Sequence, residues 1–112
     1  MKILINALVF ISLGFLVQCQ SSAREPQPDP SQKLIVAEAS CGECQFGLSG
    51  KDCDLAIRIE GQAYFVDGTN IDDHGDAHAD DGFCNAIRKA EVQGSVVNNR
   101  FKATYFKLVD KK

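Results

Sequence analysis

The sequence predicts a mainly β domain with one helix, an OB-like five-stranded small barrel in the order β-β-β-α-β-β, on three observations. Leu55, Ile57 and Ile59 alternate with Ala56, Arg58 and Glu60, which is the two-residue period of a half-buried strand. Two pairs suited to tight hairpin turns, Glu60-Gly61 and Asn98-Asn99, stand between runs rich in β-branched and aromatic residues. Between those hairpins, Phe83, Ala86, Ile87 and Ala90 recur at the three- and four-residue spacing of a helix. A small α+β sheet with one covering helix is the alternative, because a single sequence does not show strand pairing.

In chain order, Met1-Lys2 and the apolar run Ile3 to Val17 have the form of a signal peptide, shorter than the about 20 residues of a membrane span. Leu16-Val17-Gln18-Cys19 resembles a bacterial lipobox, in which the cysteine is lipidated, although Gln18 replaces the usual small residue. Cleavage after Ala23 would instead release a soluble protein. Residues 1–19 are therefore expected to be a leader with Cys19 as lipidation site. Residues 20–32 hold all three prolines, Pro26, Pro28 and Pro30, and are expected to form an extended tether. Residues 33–112 then form a single small domain.

Within that domain, Leu34 to Ala39 reads as the first strand, and residues 40–53 as a loop or bent strand carrying Cys41, Cys44 and Cys53. Asp54 to Glu60 and Gln62 to Asp67 form the first hairpin. An acidic loop follows, and Asp80 or Asp81 caps a helix that ends near Arg88, Lys89 and Ala90. Residues 91–97 and 100–109 close the fold as a second hairpin. In the last strand the apolar set shifts phase from Phe101 and Ala103 to Phe106 and Leu108, which predicts a β-bulge near Thr104-Tyr105.

Charge narrows the partners. Loss of the leader with Lys2 leaves 11 basic against 15 acidic residues, a formal charge of −4. The longest charge-rich loop is acidic, so nucleic acid and anionic headgroups are poor partners. Tyr64, Phe65, Tyr105 and Phe106 are expected to serve mainly packing. The expected partners are a membrane, through the lipid anchor, and a protein or small ligand whose identity the residues do not specify.

The reactive side chains collect in two segments. Cys41 and Cys44 have the spacing that brings two thiolates to one ion, and His74 and His78 lie four apart in the acidic loop just before Cys84. One expectation is a tetrahedral site of Cys41, Cys44, His74 and His78, with Cys84 as a further candidate ligand and Cys53 and Cys84 free to pair as a disulfide. Zn2+ or Cu+ suits such donors. The competing expectation is that Cys41, Cys44, Cys53 and Cys84 form two disulfides that staple a small exported domain. An EF-hand beginning at Asp72 fails, because Ala77 and Phe83 occupy its glycine and glutamate positions. Thiol redox catalysis has only Cys41-Gly42-Glu43-Cys44 in its favour, followed by poor helix formers.

The motifs Cys-Gly-Glu-Cys-Gln-Phe-Gly (41–47) and His-Gly-Asp-Ala-His-Ala-Asp-Asp-Gly-Phe-Cys-Asn-Ala-Ile-Arg (74–88) resemble a family of small bacterial envelope lipoproteins without assigned activity. The similarity runs from Cys41 to about Leu108. It implies one exported or lipid-anchored domain, and it carries no enzymatic role. The expected function is thus a non-enzymatic binding module of the cell envelope, or a secreted or periplasmic soluble one if Cys19 is lost.

Overall fold

A computed structural model of the chain describes residues 26–109 and, before them, Gly14. The expected leader apart from Gly14, the expected lipidation site Cys19, residues 20–25 of the expected tether and residues 110–112 lie outside the described residues. The elements are β1 (Ile35–Cys41), α1 (Gly42–Gln45), β2 (Leu55–Ile59), β3 (Gln62–Asp67), a 3-10 turn (Ile71–His74), β4 (Arg88–Val97) and β5 (Arg100–Leu108).

The strands close into a barrel in the order β1-β2-β3-β5-β4. Neighbours are antiparallel except at the seam, where β3 and β5 run parallel with Val66 opposite Phe101 and Asp67 opposite Lys102. This is the expected mainly β, OB-like barrel. Both hairpins turn where the sequence indicated. Glu60 and Gly61 have φ of 50° and 81°, and Asn98 and Asn99 have 52° and 61°. Such left-handed pairs match the twist of the flanking strands.

The bulge also lies where the phase slip placed it. Gln93 pairs with Tyr105 and Gly94 with Ala103, which leaves Thr104 as the extra residue of β5. Gly94 has φ of 151°, and a Cβ there would collide with the carbonyl of Lys102, so the strands meet too closely for any side chain.

The expected helix from Asp80 or Asp81 to Ala90 does not form. Among the described residues the one α-helix is instead α1, a single turn directly after β1, where a loop or bent strand was expected. Residues 76–87 are a chain of turns, with the amide of Gly82 donating to Ala79 and those of Asn85 and Ala86 donating to Gly82. Arg88 to Ala90 already belong to β4 and pair with Ala39 to Ala37 of β1. The helical stripe misled because its members do different jobs. Phe83 enters the core, Ile87 is exposed, and Ala90 shares the strand period with Val92. Nine or ten residues of β pairing outweigh the weak propensity of a short helix.

Phe83, 2% exposed, packs with Ala37, Ala39, Ile57, Val92 and Phe101 in the barrel core. Alanines on β1 and β4 leave room for its ring. A loop side chain thus plugs the barrel. Among the described residues no helix is long and apolar enough to cross a membrane.

The expected tether is partly fastened to the barrel. Gln93 of β4 is 1% exposed. Its Oε1 accepts the amide of Asp29 at 2.8 Å, while its Nε2 donates to the carbonyls of Asp29 at 2.8 Å and Gln32 at 3.1 Å. A buried amide with both ends satisfied is a specific clamp on the turn at residues 29–32.

Candidate metal centre

Cys41 ends β1 and is fully buried. Its neighbours in space follow from backbone bonding. The Cys41 amide donates to the carbonyl of Phe83 at 3.0 Å, and the Gly42 amide donates to that of Asp54 at 2.8 Å. Those two bonds bring Cys84 and Cys53, each next in sequence to an accepting residue, to the side of Cys41. Ser40 strengthens the first junction, its hydroxyl donating at 2.7 Å to the carbonyls of Phe83 and Ala86. Gln45 adds a bond from Nε2 to the carbonyl of Cys84 at 2.9 Å.

Two glycines make the approach possible. A Cβ at Gly42 would stand 2.7 Å from Cε1 of Phe65 and 3.0 Å from Cβ of Ala56, so α1 can lie on β2 and β3 only without a side chain there. A Cβ at Gly82 would strike the carbonyls of Asp76 and Ala77. Both glycines belong to the cysteine motifs, and packing explains each.

The result is a cluster of four sulfurs, Cys41, Cys44, Cys53 and Cys84, all within 4.8 Å of one another. Metal–thiolate bonds of about 2.3 Å in a tetrahedron separate sulfurs by about 3.8 Å, a spacing within that 4.8 Å bound that Cys53 and Cys84 would reach by moving about 1 Å apart. The sulfurs of Cys53 and Cys84 lie 2.8 Å apart. The Cys44 amide donates to Cys41 Sγ at 3.4 Å, which holds the α1 turn against the buried sulfur.

Burial and hydrogen bonding among the sulfurs favour neutral thiols at two positions. Burial pushes the Cys53 thiol up, and hydrogen bonds with the sulfurs of Cys41 and Cys84 add to the rise. A sulfur-to-sulfur hydrogen bond with Cys41 raises Cys44, with desolvation second. An ion entering here must displace protons.

Glu43, in the middle of the Cys-x-x-Cys turn, went unremarked in the sequence. Its Oε2 accepts the amide of Asp54 at 2.9 Å and faces Cys41 Sγ at 4.0 Å, stitching the α1 turn to the Cys53 loop. Its Oε1 is buried with no hydrogen-bond partner.

The two histidines do not join the sulfurs, so the mixed cysteine–histidine set gives way to an all-sulfur one in which Cys53 takes part. His74 follows the 3-10 turn inward. Its Nε2 lies 2.8 Å from Thr69 Oγ1, and its ring packs on Phe106 at 4.4 Å and edge-on to Phe83 at 6.3 Å. Burial lowers its pKa, against a weaker opposing effect of Asp73. It borders an open cleft of about 530 Å³ shared with Thr69, Thr104, Phe106 and Lys107. His78 is exposed on the loop, its amide bonded to Asp76 Oδ1 at 2.9 Å. The reason is local geometry. Gly75, with φ of 102°, breaks the helix that would have aligned residues four apart.

No match is found among curated proteins or among solved structures. A family model matches residues 35–109, which begins at β1 and takes in all four clustered cysteines. The chain belongs to DUF6370, a family of unknown function.

Proposed function

We propose that this is an exported, non-enzymatic domain that holds one thiophilic ion, Zn2+ or Cu+, on Cys41, Cys44, Cys53 and Cys84. The observation that carries the reading is the convergence of four sulfurs from three separate segments within 4.8 Å. All-thiolate donors suit those two soft or borderline ions, as they suit iron. Four protein ligands with no open position form a closed site, which holds loops together and does no chemistry on a substrate. Here those loops are the α1 turn, the segment before β2, and the turn that carries Phe83 into the core. The leader and Cys19 support placement at the cell envelope on a lipid anchor.

One observation favours a second reading. The 2.8 Å approach of Cys53 and Cys84, with Cys41 and Cys44 three apart in one turn, also suits two disulfides in an oxidising compartment. The barrel would then be a stapled module whose surface binds a protein or small ligand.

Intact mass with and without alkylation, combined with elemental analysis of native protein, separates the two. Metal binding gives four thiols, protected until the ion is chelated, and about one zinc or copper per chain. Two disulfides with no metal would overturn it in favour of the stapled module.

A further inference from the structure

The four sulfurs are not equivalent. Cys41 is fully buried at the end of a paired strand, Cys53 and Cys84 are half-buried and in mutual contact, and Cys44 alone is exposed. Their supports differ in the same order. Cys41 is fixed by strand pairing with Leu55 and by its amide bond to Phe83. Cys84 is fixed by its amide bond to Ala77 at 2.9 Å and through Gln45. Cys53 sits one residue before Asp54, whose amide and carbonyl are both engaged, with Glu43 and Gly42. Cys44 sits in a four-residue helical turn, followed by an irregular run from Gly47 to Asp54.

From this asymmetry we infer that Cys44 is the exchangeable ligand of the ion, the position at which an outside thiol enters and leaves. The inference rests on the metal-binding reading above. Cys41, Cys53 and Cys84 form an inner set that keeps the ion, while the fourth bond faces solvent. The exchange balances without any oxidant. An incoming thiol gives its proton to Cys44, the metal–sulfur bond to Cys44 breaks, and a bond to the incoming sulfur forms, with the charge of the complex unchanged. The ligand class is a small thiol or an accessible cysteine of another protein. A closed site in the resting protein thereby becomes a site that can hand over its ion.

The test uses the mature chain loaded with Co2+, whose sulfur-to-metal absorption reports thiolate ligation, and four variants, C41A, C44A, C53A and C84A, checked for β structure by circular dichroism. C44A is expected to keep one cobalt per chain with affinity lowered about tenfold, and the other three to lose about a thousandfold or more. Added 2-mercaptoethanol should restore the four-thiolate spectrum in C44A and not in C41A. Equal losses at all four positions, or no rescue of C44A, would overturn the inference and leave metal binding standing. A wild-type chain that takes up no cobalt overturns both. A second measurement needs no variant. Iodoacetamide on the zinc-loaded wild type should label Cys44 before the other three, and first labelling at Cys53 or Cys84 would refute the assignment.

Discussion

Removing the ring of Phe83 should nearly unfold the domain, because that ring is the plug supplied by an otherwise polar loop. Phe83 is 2% exposed and packs against residues of four strands. Phe→Ala in such a site costs about 3–5 kcal/mol, from lost burial and from the cavity left behind. The structured body, residues 26–109, is expected to have a total stability of about 4–13 kcal/mol on its size alone. The substitution therefore takes a large share of it, equivalent to a drop in Tm of about 12 °C or more. The backbone bonds from Cys41 and Ser40 to the Phe83 carbonyl survive the change, so the variant isolates the ring. Urea unfolding of metal-free wild type and Phe83→Ala, followed by far-ultraviolet circular dichroism, measures the difference. Excess zinc at about a thousand times its Kd should then return about 4 kcal/mol to each protein. A loss below about 1 kcal/mol at unchanged m-value would show that the barrel closes without this ring.

Three further outcomes follow from the same geometry. Stability should hold above pH 6.5, the ordinary His value, and fall as pH drops below it, since the unfolded chain takes up a proton that burial denies His74. Asp73, which also lines its cleft, opposes the effect of burial without cancelling it; urea midpoints between pH 7.5 and 5 should show the fall in wild type and a flatter curve in His74→Gln, and equal slopes would refute the assignment. Gln93→Leu should cost about 1–3 kcal/mol and free the Asp29 amide for hydrogen exchange, whereas unchanged protection there would show that the clamp is not what holds the segment. Cys19→Ser should move the protein from the membrane to the soluble fraction, and unchanged fractionation would remove the lipid anchor.

The parts of the fold legible in the sequence were those with local causes. Glu60-Gly61 and Asn98-Asn99 announce their turns because few residues accept positive φ, and the phase slip around Thr104 announces the bulge because side-chain alternation cannot shift otherwise. The segment around Phe83 was not legible, because a three- and four-residue apolar spacing arises equally from one helix face or from unrelated residues in a loop and a strand. Similarly, Cys41 and Cys44 declared themselves by spacing, while the arrival of Cys53 and Cys84 depends on bonds to carbonyls 12 and 42 residues away from their donors. The histidines were attractive for their composition, and a single glycine at position 75 was enough to separate them from the sulfurs.

The Gln93 clamp also orients the molecule. It grips the incoming chain beside the start of β1, where Ile35 pairs with Val92, whereas Cys41 closes the far end of that strand. Seven strand residues span about 20 Å. For a chain held at Cys19, the ten residues to Asp29 give a leash of at most about 35 Å, attached at the pole opposite the sulfurs. Under the proposed anchoring at Cys19, the thiol pole would be the end of the barrel away from the attachment of the tether, open to a donor or acceptor in solution.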